Sequence, residues 1–176
     1  MDDWDRHVPF EACFNFRDLG GYVTTDGREV RRGSLFRSDS LHRMTDDDLA
    51  TLAALGVRSV IDLRTDGELA EHGRVAHHDE RRFAHIPCED PIADDRLPRA
   101  ELYLAFARAR GAELAGALRF VARERGPIVF HCMAGKDRTG ILAALLLATL
   151  GVPDTTIAAD YALTERSVAP LRAWAT

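Results

Sequence analysis

The sequence predicts an α/β fold, in which helices flank both faces of a central, mostly parallel sheet. Apolar runs typical of strands alternate along the chain with patterns typical of helices, which is the element order of this class. The chain has 176 residues, enough to bury a sizeable core, and no repeat or low-complexity segment divides it. We therefore expect a single domain over residues 1–176.

The first elements are short. Residues 10–40 contain extended pieces with turn signals at Gly20-Gly21 and Asp26-Gly27, which predicts a small meander that ends at Ser34-Leu35-Phe36.

Helix caps and apolar runs place the later elements. Thr45 and the three aspartates after it form a capping box, and the helix that they open should stop at Gly56. The remaining patterns predict strands at 57–63, 83–87 and 128–131, and helices at 66–72, 98–125 with a break near Gly111, 138–150, and from about 154 and 164.

The most informative segment lies between the predicted strand 128–131 and the predicted helix 138–150. Residues 131–140 read His-Cys-Met-Ala-Gly-Lys-Asp-Arg-Thr-Gly, which places Cys132 six positions before Arg138. The N–H groups of such a loop can converge on one phosphate, and the helix N-terminus favours an anion. A cysteine there can attack phosphorus, and an arginine can hold two phosphoryl oxygens. We therefore predict a phosphate loop at 131–140, with Cys132 and Arg138 as catalytic residues.

This loop resembles the signature of the protein tyrosine phosphatase superfamily. Within it, the chain is similar to the bacterial atypical tyrosine/serine phosphatases, whose loop reads His-Cys-x-x-Gly-Lys-Asp-Arg-Thr. Three more segments typical of these enzymes precede the loop in the chain, at 15–21 (Asn-Phe-Arg-Asp-Leu-Gly-Gly), 35–39 (Leu-Phe-Arg-Ser-Asp) and 61–64 (Ile-Asp-Leu-Arg). The resemblance therefore covers roughly residues 13–165. It implies the cysteine phosphatase fold and hydrolysis of a phosphomonoester through a phosphocysteine intermediate, without a metal.

The other loop residues are expected to bind the substrate or to shape the loop. Lys136 is the only lysine in the chain, and its ammonium can neutralise phosphoryl oxygens together with Arg138 and the amides. Thr139 can donate its hydroxyl to the sulfur when it becomes the leaving group, and glycine permits close approach of the backbone. The expected substrate-binding residues of the loop are His131, Met133, Ala134, Gly135, Lys136, Thr139 and Gly140.

Several aspartates are candidates for the general acid that protonates the leaving oxygen, because the chain lacks the Trp-Pro-Asp loop that supplies it in many eukaryotic relatives. Asp137 is the first candidate, because repulsion from a phosphate dianion favours the protonated form of a neighbouring carboxyl. Myotubularin-type lipid phosphatases also carry Asp at this loop position. Asp62 is the second candidate, with an ion pair to a nearby arginine as the alternative, and the cluster of Asp90, Asp94 and Asp95 is the third.

Two arginines outside the loop are further candidates for substrate binding. Ligands of parallel α/β sheets bind beyond the carboxyl ends of the strands. Arg37 and Arg64 follow strand-like runs, so we expect both near Cys132 if these strands are neighbours. Each could equally be a structural salt-bridge partner. The segment from Asn15 to Gly21 could be a turn that supports the site, which we favour, or a direct substrate contact.

The remaining cysteines and histidines indicate no cofactor. Three widely spaced cysteines do not form a disulfide framework. Cys13 and Cys88 are expected to be small apolar core residues, with Cys88 as a redox partner of Cys132 as the alternative. A metal site is disfavoured by the irregular spacing of the nearest candidates, His77, His78, His85 and Cys88.

Charge and hydropathy exclude several partners. The net charge of −5 gives no global attraction to a nucleic acid polymer or an anionic membrane. The longest apolar run, 141–150, is too short to span a bilayer, and the acidic residues after Met1 are unlike a signal peptide. We expect a cytoplasmic protein, with unconventional secretion left open; the oligomeric state is not indicated.

The expected substrates are phosphorylated proteins or lipids. The resemblance allows phosphotyrosine, phosphoserine and phosphothreonine, and Lys136 matches a lysine of lipid phosphatases of the tumour-suppressor type, which implies phosphoinositides. A phosphorylated metabolite, such as a nucleotide, sugar or biosynthetic intermediate, is the alternative. Thr139-Gly140 and the N-terminal segments argue against a rhodanese-like sulfurtransferase, and the intact Cys132 and Arg138 argue against a phosphate-binding module without turnover.

Overall fold

The computed structural model describes residues 6–76, 82–89 and 98–174. Its strands are β1 (Arg17–Asp18), β2 (Leu35–Ser38), β3 (Ser59–Asp62), β4 (Arg82–His85) and β5 (Ile128–His131). They form one sheet in the order β1-β2-β5-β3-β4. β2, β5, β3 and β4 are parallel, and β1 is antiparallel to β2. The predicted α/β class with a mostly parallel sheet is confirmed.

The helices lie close to their predicted positions. They are α1 (Asp46–Ala54), α2 (Asp66–His72), α3 (Arg99–Ala109), α4 (Gly111–Arg123), α5 (Asp137–Thr149), α6 (Asp154–Ala162) and α7 (Glu165–Trp174), and a 3₁₀ helix spans Leu41–Arg43. α1 begins with the expected capping box, in which Thr45 accepts from the N–H of Asp48. α2 begins with a second one, made by Thr65 and Glu68. Within the described ranges, no helix has the length and apolar character needed to cross a membrane.

Helices cover both faces of the sheet, as predicted. Ile128 and Phe130 of β5 pack in one core cluster with side chains of α3, α4 and α5. Val129, between them, packs in a second cluster with Leu49 and Leu52 of α1. Successive residues of a strand point to opposite faces, so an unbroken apolar strand with both faces covered occupies the centre of the sheet.

The N-terminal segment 10–40 pairs in antiparallel fashion and ends in a strand inside the sheet. Within residues 10–40, the structure has the short strand β1 and an isolated bridge between Val23 and Glu29. The run that was expected to end the meander is β2, which is buried along its whole length and pairs in parallel with β5. A run of four buried residues fits a central strand better than a meander edge.

The strand register brings three chain segments together at one end of the sheet. Ser38 and Asp62, the last residues of β2 and β3, both pair with His131, the last residue of β5. The residues that follow these strands therefore surround Cys132.

Candidate active site

The predicted phosphate loop lies between β5 and α5. Cys132 follows the last residue of β5, and Lys136 is the N-cap of α5. Cys132 is 2% exposed and Arg138 is 6% exposed, whereas Lys136 and Asp137 are half-buried and Ala134 is exposed. The loop thus presents a recessed cysteine and arginine at the positive end of a helix.

Three successive carbonyl groups of the loop are hydrogen-bonded to the protein behind it. The carbonyl of Met133 accepts from the N–H of Ser40 at 3.0 Å. The side-chain amide of Asn15 donates to the carbonyls of Ala134 at 3.4 Å and Gly135 at 2.9 Å. Because the C=O and N–H of a trans peptide point in opposite directions, the next N–H groups face the other side of the loop. That arrangement makes a cradle of N–H donors for an anion.

Gly135 is required at the closest approach of this loop to the sheet. Its φ of +64° lies in the left-handed region. A Cβ atom there would come within 2.6 Å of the backbone N of Asp39 and the carbonyl oxygen of Ser38. Both the conformation and the lack of space therefore exclude a larger residue.

Arg138 is held by a carboxylate that the sequence analysis missed. Glu68 on α2 accepts from both terminal nitrogens of Arg138, at 2.6 and 2.8 Å. This hydrogen bonding lowers the pKa of Glu68 to about 2, although burial opposes the shift. The bidentate pair fixes the plane of the guanidinium, which carries five N–H groups and can thus serve a carboxylate and a phosphate together. The only signal in the sequence was the capping box, which predicts a helix start and not this contact.

The hydroxyl of Thr139 is buried beside the start of α5 without a partner in the ranges that the structure describes. Thr139 is fully buried, and among the described residues its hydroxyl has no hydrogen-bond partner. Leaving a buried hydroxyl unpaired is costly, so such a group usually serves a ligand or a reaction step.

Asp137 is bound by a tyrosine pair that the sequence analysis also missed. The hydroxyl of Tyr103 on α3 donates to Asp137, and it is hydrogen-bonded to the hydroxyl of Tyr161 on α6. Gly140 makes room for this pair, because a Cβ atom there would lie 2.7 Å from the ring of Tyr161. The carboxyl of Asp137 is therefore held at the start of α5, beside the phosphate loop.

Asp62 is not placed to act as a general acid, which corrects that expectation. It is fully buried and accepts from Arg64 Nε at 3.0 Å and Nη2 at 2.6 Å. Burial would raise the pKa of Asp62, but the charges of His131 and Arg64 and the hydrogen bonds from Arg64 outweigh it and hold the pKa below its usual value. The ion-pair alternative is therefore the one that the structure shows.

His131 lies between this ion pair and the loop. Its Nε2 is 3.7 Å from Asp62 Oδ2, and its Nδ1 donates to the carbonyl of Cys132 at 3.2 Å. Burial lowers the pKa of His131, although the charge of Asp62 opposes the shift. His131 supports the backbone of Cys132 from inside the protein, and it is 1% exposed.

Arg37 and Arg64 are not at the rim, so their expected contact with substrate is also corrected. Both are fully buried. Arg37 pairs with Asp160 on α6 at 2.7 Å and donates to the carbonyl of Gly135 at 2.9 Å. Arg64 pairs with Asp62 and donates to the carbonyl of Gly73 at 2.7 Å. Arg37 lies in β2 and Arg64 follows β3, and both strands end near Cys132 as predicted, but the two guanidinium groups are held by ion pairs inside the protein.

A groove runs beside the loop at the surface. It has a volume of about 590 Å³ and lies between the loop residues Met133, Ala134 and Lys136 and the α7 residues Val168 and Leu171. His42, Arg43, His72, Thr164 and Arg172 complete the lining. Lys136 also lines a second cavity of about 490 Å³, towards Tyr161. Both apolar and cationic side chains therefore line the space next to the phosphate loop.

Some expectations fall on other parts of the chain. Asp90, Asp94 and Asp95 lie outside the described residues, as do His77 and His78. Cys88 is fully buried, and burial raises the pKa of its thiol to about 11.

The sheet order, the loop after β5 and the helix behind it define the class: the protein has the cysteine phosphatase fold. The chain belongs to the tyrosine phosphatase family, which it matches over residues 8–176. It is 36% identical over 171 residues to a provisionally named tyrosine-protein phosphatase of Cupriavidus necator, covering 89% of this chain and 62% of that protein. It is 32% identical over 205 residues to the triple specificity protein phosphatase PtpB of Mycobacterium tuberculosis, covering 96% and 72%. Among solved structures, a provisionally assigned phosphatase of Neisseria meningitidis matches with 18% identity and a TM-score of 0.49, covering 75% and 84%.

Proposed function

We propose that this chain is a metal-independent phosphomonoester hydrolase that acts through a phosphocysteine intermediate. The observation that carries the proposal is the geometry of the loop. Three of its carbonyls are hydrogen-bonded to the protein behind it, so the N–H groups of the same peptides face the anion site together with Cys132 and Arg138. The described strands form one sheet, which supports a single phosphatase domain.

The first step forms the phosphocysteine. The thiolate of Cys132 attacks phosphorus in line with the leaving oxygen, so that the S–P bond forms as the P–O bond breaks. Arg138 and the loop N–H groups stabilise the charge on the equatorial oxygens, and they need no reorganisation because the loop is already anchored. Asp137 gives its proton to the leaving oxygen.

The second step returns the cysteine. The carboxylate of Asp137, now deprotonated, accepts a proton from a water molecule that attacks the phosphocysteine. The S–P bond breaks, and the hydroxyl of Thr139 donates to the sulfur that departs. The hydrogen bond from Tyr103 fixes the direction of the Asp137 carboxyl in both steps.

The proposed substrates are phosphotyrosine, phosphoserine and phosphothreonine residues of proteins. The similarity to a triple specificity phosphatase supports this breadth. The groove between Met133 and α7 supports it as well, since an apolar surface beside the loop suits a tyrosyl ring or neighbouring side chains. Three free cysteines fit a reducing, cytoplasmic location.

Phosphoinositides are the second candidate, and a specific observation favours them. Lys136 lines both cavities next to the loop. Arg172 and Arg43, which pairs with Asp39, also line the larger one. Such cations suit a substrate that carries phosphates besides the one being removed.

The test is hydrolysis of nitrophenyl phosphate by the wild type and by Cys132→Ser. We expect complete loss of turnover with retained fold and phosphate binding, trapping of a phosphocysteine in a rapid quench of the wild type, and full activity in EDTA. Cys13→Ser is the matched control, because Cys13 is another buried thiol outside the loop. Turnover by Cys132→Ser would overturn the mechanism. Formation of thiocyanate from thiosulfate and cyanide would instead indicate a sulfurtransferase.

A further inference from the structure

The fold buries a group of three charged side chains directly behind the phosphate loop. Arg17 of β1, Arg37 of β2 and Asp160 of α6 are each at most 2% exposed. Asp160 accepts from Arg17 Nε at 3.0 Å and from Arg37 Nη1 at 2.7 Å. We call these residues the Arg17–Asp160–Arg37 triad. Its two guanidinium groups share one carboxylate, so it has a formal charge of +1.

One buried donor of the triad lacks an acceptor among the described residues. The hydroxyl of Tyr22 takes one of the positions on Asp160 at 3.1 Å. The Nε of Arg37 is buried and, in the described part of the chain, has no hydrogen-bond partner. Burial lowers the pKa of Arg37 to about 10, which still leaves the guanidinium charged at neutral pH. A buried charge without a full set of partners is expensive, so the excess positive charge needs an explanation.

The triad is joined to the loop through one atom. The carbonyl oxygen of Gly135 accepts from Arg37 Nη2 and from the side-chain amide of Asn15, both at 2.9 Å. Asn15 is held in turn by Arg17. The two arginines that bind Asp160 therefore also fix the peptide between Gly135 and Lys136, Arg37 directly and Arg17 through Asn15. The N–H of this peptide, which belongs to Lys136, faces the anion site.

We propose that the triad is an electrostatic and positioning element of the active site, in which Arg37 fixes the Gly135 carbonyl and its excess charge stabilises the Cys132 thiolate. The proposal rests on the proposed role of Cys132 as the nucleophile. The anion of the loop supplies the charge that balances the triad: the thiolate in the free enzyme, and the phosphoryl group once substrate is bound. Arg37 is thus a positioning residue that does not touch the substrate.

Other charged groups near the loop must stay unchanged in the test. They are Arg138 and Asp137 of α5, Glu68 of α2, Lys136, the Asp62–Arg64 and Asp39–Arg43 pairs, His131 and the thiol of Cys88. Each of them is present in every variant compared below, so a difference between variants reports the triad.

The experiment is a pH titration of the Cys132 thiolate by its ultraviolet absorbance. The absorbance of each protein is compared with that of the same protein carrying Cys132→Ser, so the contributions of Cys13 and Cys88 cancel. We expect Arg37→Gln to raise the midpoint by about one pH unit, which means about tenfold less thiolate at a pH below both midpoints. Arg37→Lys keeps the charge and should keep the midpoint, while its poorer hold on Gly135 should raise KM for nitrophenyl phosphate. Tyr22→Phe removes the hydroxyl that donates to Asp160 but changes no charge, so it is the control for an uncharged change at the triad.

Asp160→Asn gives the opposite perturbation. It raises the formal charge of the triad to +2, so it should lower the midpoint. An unchanged midpoint in folded Arg37→Gln, or a shift in the same direction in both variants, would overturn the proposal. So would failure of Arg37→Gln to fold, because this change leaves a balanced Arg17–Asp160 pair. The titration needs no turnover, so its result is independent of whether the chain proves to be a phosphatase.

Discussion

Exchanging aspartate for asparagine should mainly lower stability at Asp62 and mainly lower catalysis at Asp137. Asp62 is the fully buried partner of Arg64. Removing one partner of a buried ion pair costs about 3–5 kcal/mol, and we expect the lower end because the asparagine oxygen can still accept from Arg64. With an m-value of about 2 kcal/mol/M, a loss of about 3 kcal/mol lowers the urea midpoint by about 1.5 M. Asp137 is half-buried at a helix start, so Asp137→Asn should lower the free energy of unfolding by less than about 1 kcal/mol.

The catalytic effects should follow the reverse order. A general acid contributes about 10²–10⁴-fold when the leaving oxygen is basic and very little for a nitrophenolate. We expect kcat/KM of Asp137→Asn to fall steeply across a series of phosphates with increasing leaving-group pKa, whereas Asp62→Asn should fall evenly. The exposed Asp154 provides the control variant Asp154→Asn, which should change neither quantity appreciably. A steep dependence in Asp62→Asn with unchanged urea midpoint would refute the assignment.

Three further predictions concern the surroundings of the loop. Tyr103→Phe removes the donor to Asp137 and should lower kcat about tenfold for an alkyl phosphate but not for nitrophenyl phosphate; equal losses in a steady-state assay would contradict this role. Lys136→Ala should raise KM for an inositol polyphosphate about tenfold more than for nitrophenyl phosphate, and equal changes would mean that the lysine only supports the loop. The free energy of unfolding should fall as pH drops from about 6.5 to about 4, because burial lowers the folded pKa of His42, to about 4, and of His131, so the unfolded chain binds protons first. Urea titrations across this range test it, and His42→Gln should flatten the slope.

The parts of the fold that depend on local sequence were predicted well. The capping box at Thr45, the break near Gly111 and the strand at 128–131 depend on residues a few positions apart, and each is found within two residues of its predicted place. The strand register then follows from the buried, parallel pairing of β2 and β3 with β5.

The roles of the charged residues were harder to predict because their partners are distant in sequence. Arg138 pairs with Glu68, 70 positions away, and Arg37 pairs with Asp160, 123 positions away. Nothing in the local sequence separates Asp160 from the exposed Asp154 on the same helix. The strand ends placed Arg37 near Cys132 correctly, but its role depends on which layer of the structure receives the guanidinium, and only the packing of α6 on the sheet determines that.

The loop is anchored from both sides of β5, and this explains how a short loop can hold its N–H groups ready for an anion. Arg37 and Asn15 bind the Gly135 carbonyl from the β2 side, while Glu68 holds Arg138 from the side of β3 and α2. The first anchor depends on the pairing of β2 with β5 and the second on the pairing of β3 with β5, so the complete anion site depends on both pairings. Once formed, it needs little rearrangement on binding, and stabilisation of the transition state depends on such fixed donors. Burying the polar side chains of these anchors costs free energy, and in return they keep the loop rigid, as the proposed reaction requires.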